Sequence, residues 1–143
     1  ATLHANNANQ ALDRIINFFP MDRRQQLLMD LSLNLKAIIS QRLIPKIGGG
    51  RVPAVEIMIN TPLISDLVLK GEVHEIKPIM AKSRDLGMQT FDQSLFDLVV
   101  DGKVEAETAL RYADSPNDLR LMLKLKGGNP FKDDGGPSGL EIV

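Results

Sequence analysis

Three consecutive glycines, Gly48, Gly49 and Gly50, constrain this chain most. They supply the positive φ values that a hairpin turn needs. Gln41 to Lys46 and Val52 to Ile59 flank them and read as two strands, because Val55, Ile57 and Ile59 alternate with Glu56 and Met58 at period two. Pro45 and Pro53 each remove a ladder donor, which predicts short or edge strands. The glycines are not followed by Lys-Ser/Thr and they open a strand, so they are not a phosphate loop.

On both sides of this hairpin the period is helical. Asn9 is a candidate N-cap for a first helix, with Leu12, Ile15, Ile16 and Phe19 on one face and Pro20 as its stop. The spacing of Leu27, Leu28, Leu31, Leu35 and Ile38 predicts a second helix from about Asp22 to Ile39. Thr61-Pro62 opens another as cap and first turn, and Gly71 closes it. Val73 to Arg84 is helical by pattern, with Pro78 forcing a later start or a kink. Thr90 and Gln93 form a capping box for a helix bearing Phe91, Leu95, Leu98 and Val99. Glu105 to Tyr112 and Ser115 to Leu125 complete the series. From Lys126 to Val143 the chain turns to Gly, Pro, Asp and Lys, a composition that buries too little to offset its ordering entropy, and a disordered tail is expected.

A length of 143 residues fits one domain with room for a core. The net charge of −1 gives no electrostatic case for nucleic acid or for an anionic membrane surface, so neither is expected as a partner. The chain has no cysteine, which excludes disulfides and thiolate metal sites, and no metal ligands are assigned. No apolar run reaches the 18 or so residues of a membrane span, so direct membrane insertion is not expected. A soluble, intracellular chain is the expectation.

The chemistry-bearing candidates begin at the start of the chain. Ala1-Thr2-Leu3 reads as the end of a strand, and His4 follows at its carboxyl end, where open α/β sheets place ligand chemistry. The polar turn Asn6-Asn7-Ala8-Asn9 then leads into the first helix. Taken alone, a single His after a strand is more often structural than catalytic. Asp13 and Arg14 read as a solvated helix face, Arg51 as a charge beside a turn, and His74 as a surface residue beside Glu75 and Lys77.

Thr2-Leu3-His4, with Ala11-Leu12-Asp13-Arg14-Ile15-Ile16 and Phe19-Pro20, resembles the His box of the type IV pilus retraction ATPases, the PilT/PilU group of secretion-type ATPases. The likeness continues through Ser40-Gln41-Arg42-Leu43-Ile44, Gly48-Gly49-Gly50-Arg51-Val52, Glu56-Ile57-Met58 and Leu86-Gly87-Met88-Gln89-Thr90-Phe91-Asp92. It covers about residues 1–125, and the Asn-rich wording after His4 looks closer to the PilU branch. The ordered series is more specific than any one motif.

The resemblance implies an α/β fold in which helix predominates. Residues 1–60 would be the C-terminal part of a RecA-like P-loop ATPase core, 61–125 a helical C-terminal subdomain, and 126–143 the tail. It implies a catalytic role for His4, facing the nucleotide γ-phosphate, with Thr2 in the same box. It implies ATP and Mg²⁺ as cofactors, bound mainly by residues upstream, since this sequence has no G-x-x-x-x-G-K-[ST] loop and no acidic Walker B strand. The piece alone is therefore expected to be inactive. Implied partners are further copies in a homo-hexamer, a paralogous retraction ATPase and the inner-membrane pilus platform protein, at the cytoplasmic face of the pilus base. The family's Ala-Ile-Arg-Asn-Leu-Ile-Arg-Glu signature aligns with Leu63 to Lys70, where its two basic positions are Ser65 and Leu69. That departure bears on whether such a motor retracts pili independently. The absence of a four-Cys zinc module favours the retraction group over assembly ATPases. A related type II or type IV secretion ATPase, and a catalytically silent helical interaction module, are the alternatives.

Overall fold

The computed structural model describes residues 1–127. Its centre is the antiparallel hairpin of β1 (Ala37–Pro45) and β2 (Arg51–Ile59), in register from Ala37 opposite Ile59 to Pro45 opposite Arg51. Gly48, Gly49 and Gly50 take φ of +83°, +99° and +74°, as the turn requires. The turn is tied down where Ile47 N–H donates to the Lys103 carbonyl at 2.9 Å. On its free edge β2 exchanges two backbone hydrogen bonds with Gln89, so one residue extends the two-stranded sheet.

Helices surround this hairpin: α1 (Ala8–Asn17) and α2 (Arg24–Asn34) before it, then α3 (Pro62–Leu69), α4 (Ile76–Ala81), α5 (Phe91–Val100), α6 (Ala106–Tyr112) and α7 (Pro116–Gly127). Local chemistry sets several of their ends. Thr61 accepts the Ile64 N–H, Pro62 opens α3, and Gly71 follows it at φ +73°. Thr90 and Gln93 form both arms of the capping box on α5. Pro78 lies in the first turn of α4, where its missing N–H is not needed, because a short 3₁₀ turn at Val73–Glu75 precedes the helix.

Several expectations are corrected. The first cap is Asn7, whose side-chain oxygen accepts the Gln10 N–H at 2.9 Å, and not Asn9, which lies inside α1. The helix expected to reach Ile39 ends at Asn34. Leu35 is already extended, and Ile38 and Ile39 pair with Met58 and Ile57. β-Branched residues lose little in a strand, and a ladder partner outweighs a weak helical period. Ala1-Thr2-Leu3 is not a strand, since no strand lies beside it among the described residues. Helix α7 runs through Gly127, two residues beyond Leu125, and the rest of the expected tail, 128–143, lies outside the described residues.

The face of the hairpin that meets the helices carries Ala54, Glu56 and Met58, all buried, while Val55, Ile57 and Ile59 on the other face are only half-buried. Paired residues share a face, so this inner face reads Ile38/Met58, Ser40/Glu56, Arg42/Ala54 and Ile44/Val52. Its two ends join different apolar clusters. Met58 packs with Leu12, Ile64, Val68, Ile76 and Met80. Ile44 packs with Phe91, Leu95, Ala109, Leu119 and Leu123. The polar pair positions Arg42 and Glu56 lie between the two clusters.

A charged band under the candidate site

Residues before Ala8 form no helix or strand, and His4 and Thr2 are exposed on them. Both line a groove of about 690 Å³ together with Arg14 and Ile15 of α1 and Ile38 and Ser40 of β1. The structure thus brings His4, Thr2 and Arg14 to one depression. Asp13 is exposed but is not among the groove residues. Arg51 is exposed at the turn end of β2, and His74 is exposed with its Nε2 3.4 Å from Glu75.

What holds this segment is a set of side chains that the periodicity does not single out. The Asn6 carbonyl accepts from Arg42 Nη2 at 2.9 Å and Nε at 3.3 Å. Two residues on, Ala8 N–H donates to Glu56 Oε1 at 2.7 Å. Arg42 also donates to the Tyr112 carbonyl at 2.7 Å and to Asp114 Oδ1 at 2.6 Å, and its guanidinium lies 4.0 Å from the centroid of the Phe91 ring. Lys77 Nζ donates to Asp114 Oδ2 at 2.6 Å. Asp92 accepts the backbone N–H groups of Asp114 at 2.8 Å and Ser115 at 3.0 Å.

These carboxylates differ in their proton affinity. Burial pushes Glu56 up, opposed by the hydrogen bond from Ala8 and by Lys77. Burial also pushes Asp92 up against its two backbone donors. Burial opposes ionisation of Asp114 as well, but the hydrogen bonds from Lys77 and Arg42 outweigh it and hold that carboxyl below its ordinary value.

A signal for Glu56 exists in the sequence. It lies two residues from Ala54 and from Met58, so a strand that buries those residues must bury the carboxylate. Asp92 sits in the first turn of α5, where an acid is expected for the helix dipole, and that role hides its bonds to the loop before α7. Nothing local marks Asp114, Lys77 or Arg42 as a group.

The imidazole of His4 and the guanidinium of Arg14 are both exposed and lie on one groove. Among the described residues no group of three or more His, Asp or Glu is arranged to hold a metal ion, and no helix is long and apolar enough to cross a membrane.

No family model matches the chain. Over 126 residues it is 62% identical to the type IV pilus ATPase PilU of Pseudomonas aeruginosa, a match covering 87% of this chain and 33% of that protein. It is 40% identical over 118 residues to the type IV pilus retraction ATPase PilT of the same organism, covering 82% of this chain and 34% of PilT. A crystal structure of the pilus retraction motor PilT with bound ADP shares the fold at a TM-score of 0.73 and 36% identity, over 82% of this chain and 32% of that one. The chain spans about a third of the length of the curated relatives it matches. Over that stretch it is homologous to PilU and PilT, and its helix-rich fold with a two-stranded sheet is part of the RecA-like ATPase fold, as the resemblance implied.

Proposed function

We propose that this chain, homologous to the pilus ATPases PilU and PilT, is the C-terminal part of a type IV pilus retraction motor that couples ATP hydrolysis to pilus disassembly in twitching motility. The homology over most of the chain carries this reading. In this proposal residues 1–60 complete the ATPase core, 61–125 form a helical subdomain, and the whole protein works as a cytoplasmic homo-hexamer against the inner-membrane pilus platform protein. ATP and Mg²⁺ would be held mainly by residues outside this chain, because the sequence contains no phosphate loop to cradle them. ATP supplies the phosphoanhydride bond whose cleavage drives the motor. His4 donates a hydrogen bond toward the γ-phosphoryl group or orients the attacking water, with Thr2 beside it. Arg14, on the same groove, adds positive charge facing the nucleotide.

Gene deletion in the source organism, scored for both motility and surface pili, tests the reading. Cells that keep their pili but lose or slow twitching, with recovery on complementation, are the expected result. Loss of pili altogether would make the protein an assembly ATPase, and unchanged motility would remove it from retraction.

A further inference from the structure

We infer that Glu56 and Arg42 are positioning residues that hold the His4 segment on its path: Glu56 Oε1 takes the Ala8 N–H at 2.7 Å, and Arg42 Nη2 reaches the Asn6 carbonyl at 2.9 Å. This rests on the reading of His4 given above. The two contacts fall on either side of Asn7 and engage backbone atoms, so they fix the chain's course whatever the side chains of that turn are. Asn7 already caps α1 with its own side chain, so the helix start alone does not require them.

Their cost argues for a role beyond stability. Glu56 is 2% exposed, and a buried carboxylate beside other acids is a poor way to gain stability when an apolar residue would fill the same strand position. Arg42 and Glu56 lie diagonally on the inner hairpin face, between the two apolar clusters, where the strands are held from both sides. The segment with His4 has no regular structure of its own and borrows rigidity from that hairpin. Through Asp114 and the Tyr112 carbonyl, Arg42 also joins the loop before α7 to the same segment. A displacement of about 1 Å at a reacting group is worth up to roughly 100-fold in rate, which is the scale on which such supports act.

The test uses the full-length protein with Glu56→Ala, Glu56→Gln and Arg42→Ala, each alone and combined with His4→Ala. Turnover of Mg-ATP and hydrogen exchange of the peptide covering residues 4–8 are read. Glu56→Ala and Arg42→Ala should each lower kcat on the order of 10-fold to 100-fold, with KM changed by no more than about twofold. Exchange at residues 4–8 should rise. Glu56→Gln keeps an acceptor for Ala8 and should recover most of kcat and of the protection. In the His4→Ala background Glu56→Ala should cause no further loss, because it acts through His4. A slow His4→Ala variant combined with a normal Glu56→Ala, or with losses that multiply, overturns the positioning role and leaves the ATPase reading standing. A His4→Ala variant of normal turnover removes the reading itself. Should Glu56→Ala fail to fold, Arg42→Ala decides the same question by the same criteria.

Discussion

Arg42 Nη2 lies 2.6 Å from Asp114 Oδ1, joining the first hairpin strand to the loop between α6 and α7 across 72 residues of sequence. The second carboxylate oxygen, Oδ2, accepts Lys77 Nζ at 2.6 Å, so a single acid also reaches α4. The Asp114 side chain is 12% exposed and those of Arg42 and Lys77 are 20% and 31% exposed. These pairs are therefore far drier than the surface pair Lys70–Asp66, whose side chains are 57% and 48% exposed.

Asp114→Ala leaves two half-buried cations facing each other without their acid. Breaking a buried pair costs about 3–5 kcal/mol and an exposed one about 0–1, so this intermediate case should lose roughly 2–3 kcal/mol. The midpoint of urea denaturation should fall at unchanged slope. Lys70→Ala, at the exposed pair, should move it by no more than about 0.5 kcal/mol. Equal effects at the two sites would mean that burial does not separate them.

The same band sets the pH dependence. The folded-state pKa of Glu56 is raised, so its contribution is most favourable in acid and is lost as pH rises from the ordinary carboxylate value through the raised one. Asp114 has the opposite sign: its pKa is lowered, and its contribution is present at neutral pH and lost as pH falls below the ordinary value. Glu56→Gln should thus match the parent chain in acid and exceed it in stability at neutral pH. Melting temperatures measured across that range check this, and an offset independent of pH would show that Glu56 does not titrate differently in the folded state.

Features set by neighbouring residues were legible in the sequence. The glycine turn, the Thr61-Pro62 start and the Thr90/Gln93 box each follow from chemistry within four residues. The run Leu35 to Ile39 was not, because its spacing suits a helix face and its β-branched residues suit a strand, and only the pairing with Ile57 and Met58 decides. The alternation along β2 does not by itself say which face is inward, and the hydrogen-bond partner of the buried Glu56, the Ala8 N–H, lies 48 residues away. His4 and Thr2 were singled out through family likeness, whereas the contacts that hold their segment were not, since they join residues distant in sequence.

Gly49 offers a test of the turn itself. No atom lies within 4 Å of where its Cβ would be, so a substitution meets no clash, but its φ of +99° lies in a region that L residues rarely adopt. Gly49→Ala should cost about 1–2 kcal/mol through backbone strain alone. The hairpin register should persist, because Ile38/Met58 and Ile44/Val52 fix which face is inward. Equilibrium denaturation gives the loss and backbone amide chemical shifts the register; a neutral substitution would argue that the turn relaxes to another type.

The last expectation concerns His4 in the full-length protein, where the proposed nucleotide chemistry takes place. Its side chain is exposed on a groove shared with Arg14, on a segment fastened at Asn6 and Ala8. Charge builds on the γ-phosphoryl oxygens as the bond to the leaving phosphate breaks, and a donor already aimed there acts on the transition state more than on bound ATP. His4→Ala should therefore lower kcat on the order of 100-fold, as for loss of one preorganised donor. ATP affinity should change little, because the phosphate loop of a motor ATPase supplies most ground-state contacts. His4→Gln, which retains a side-chain N–H donor, should recover part of the loss. Oligomer size should be unchanged, since few single side chains carry an interface. Turnover, nucleotide affinity and native mass measured together separate the cases. Near-normal turnover would return His4 to a structural role, and a lost oligomer would make it a packing residue between subunits.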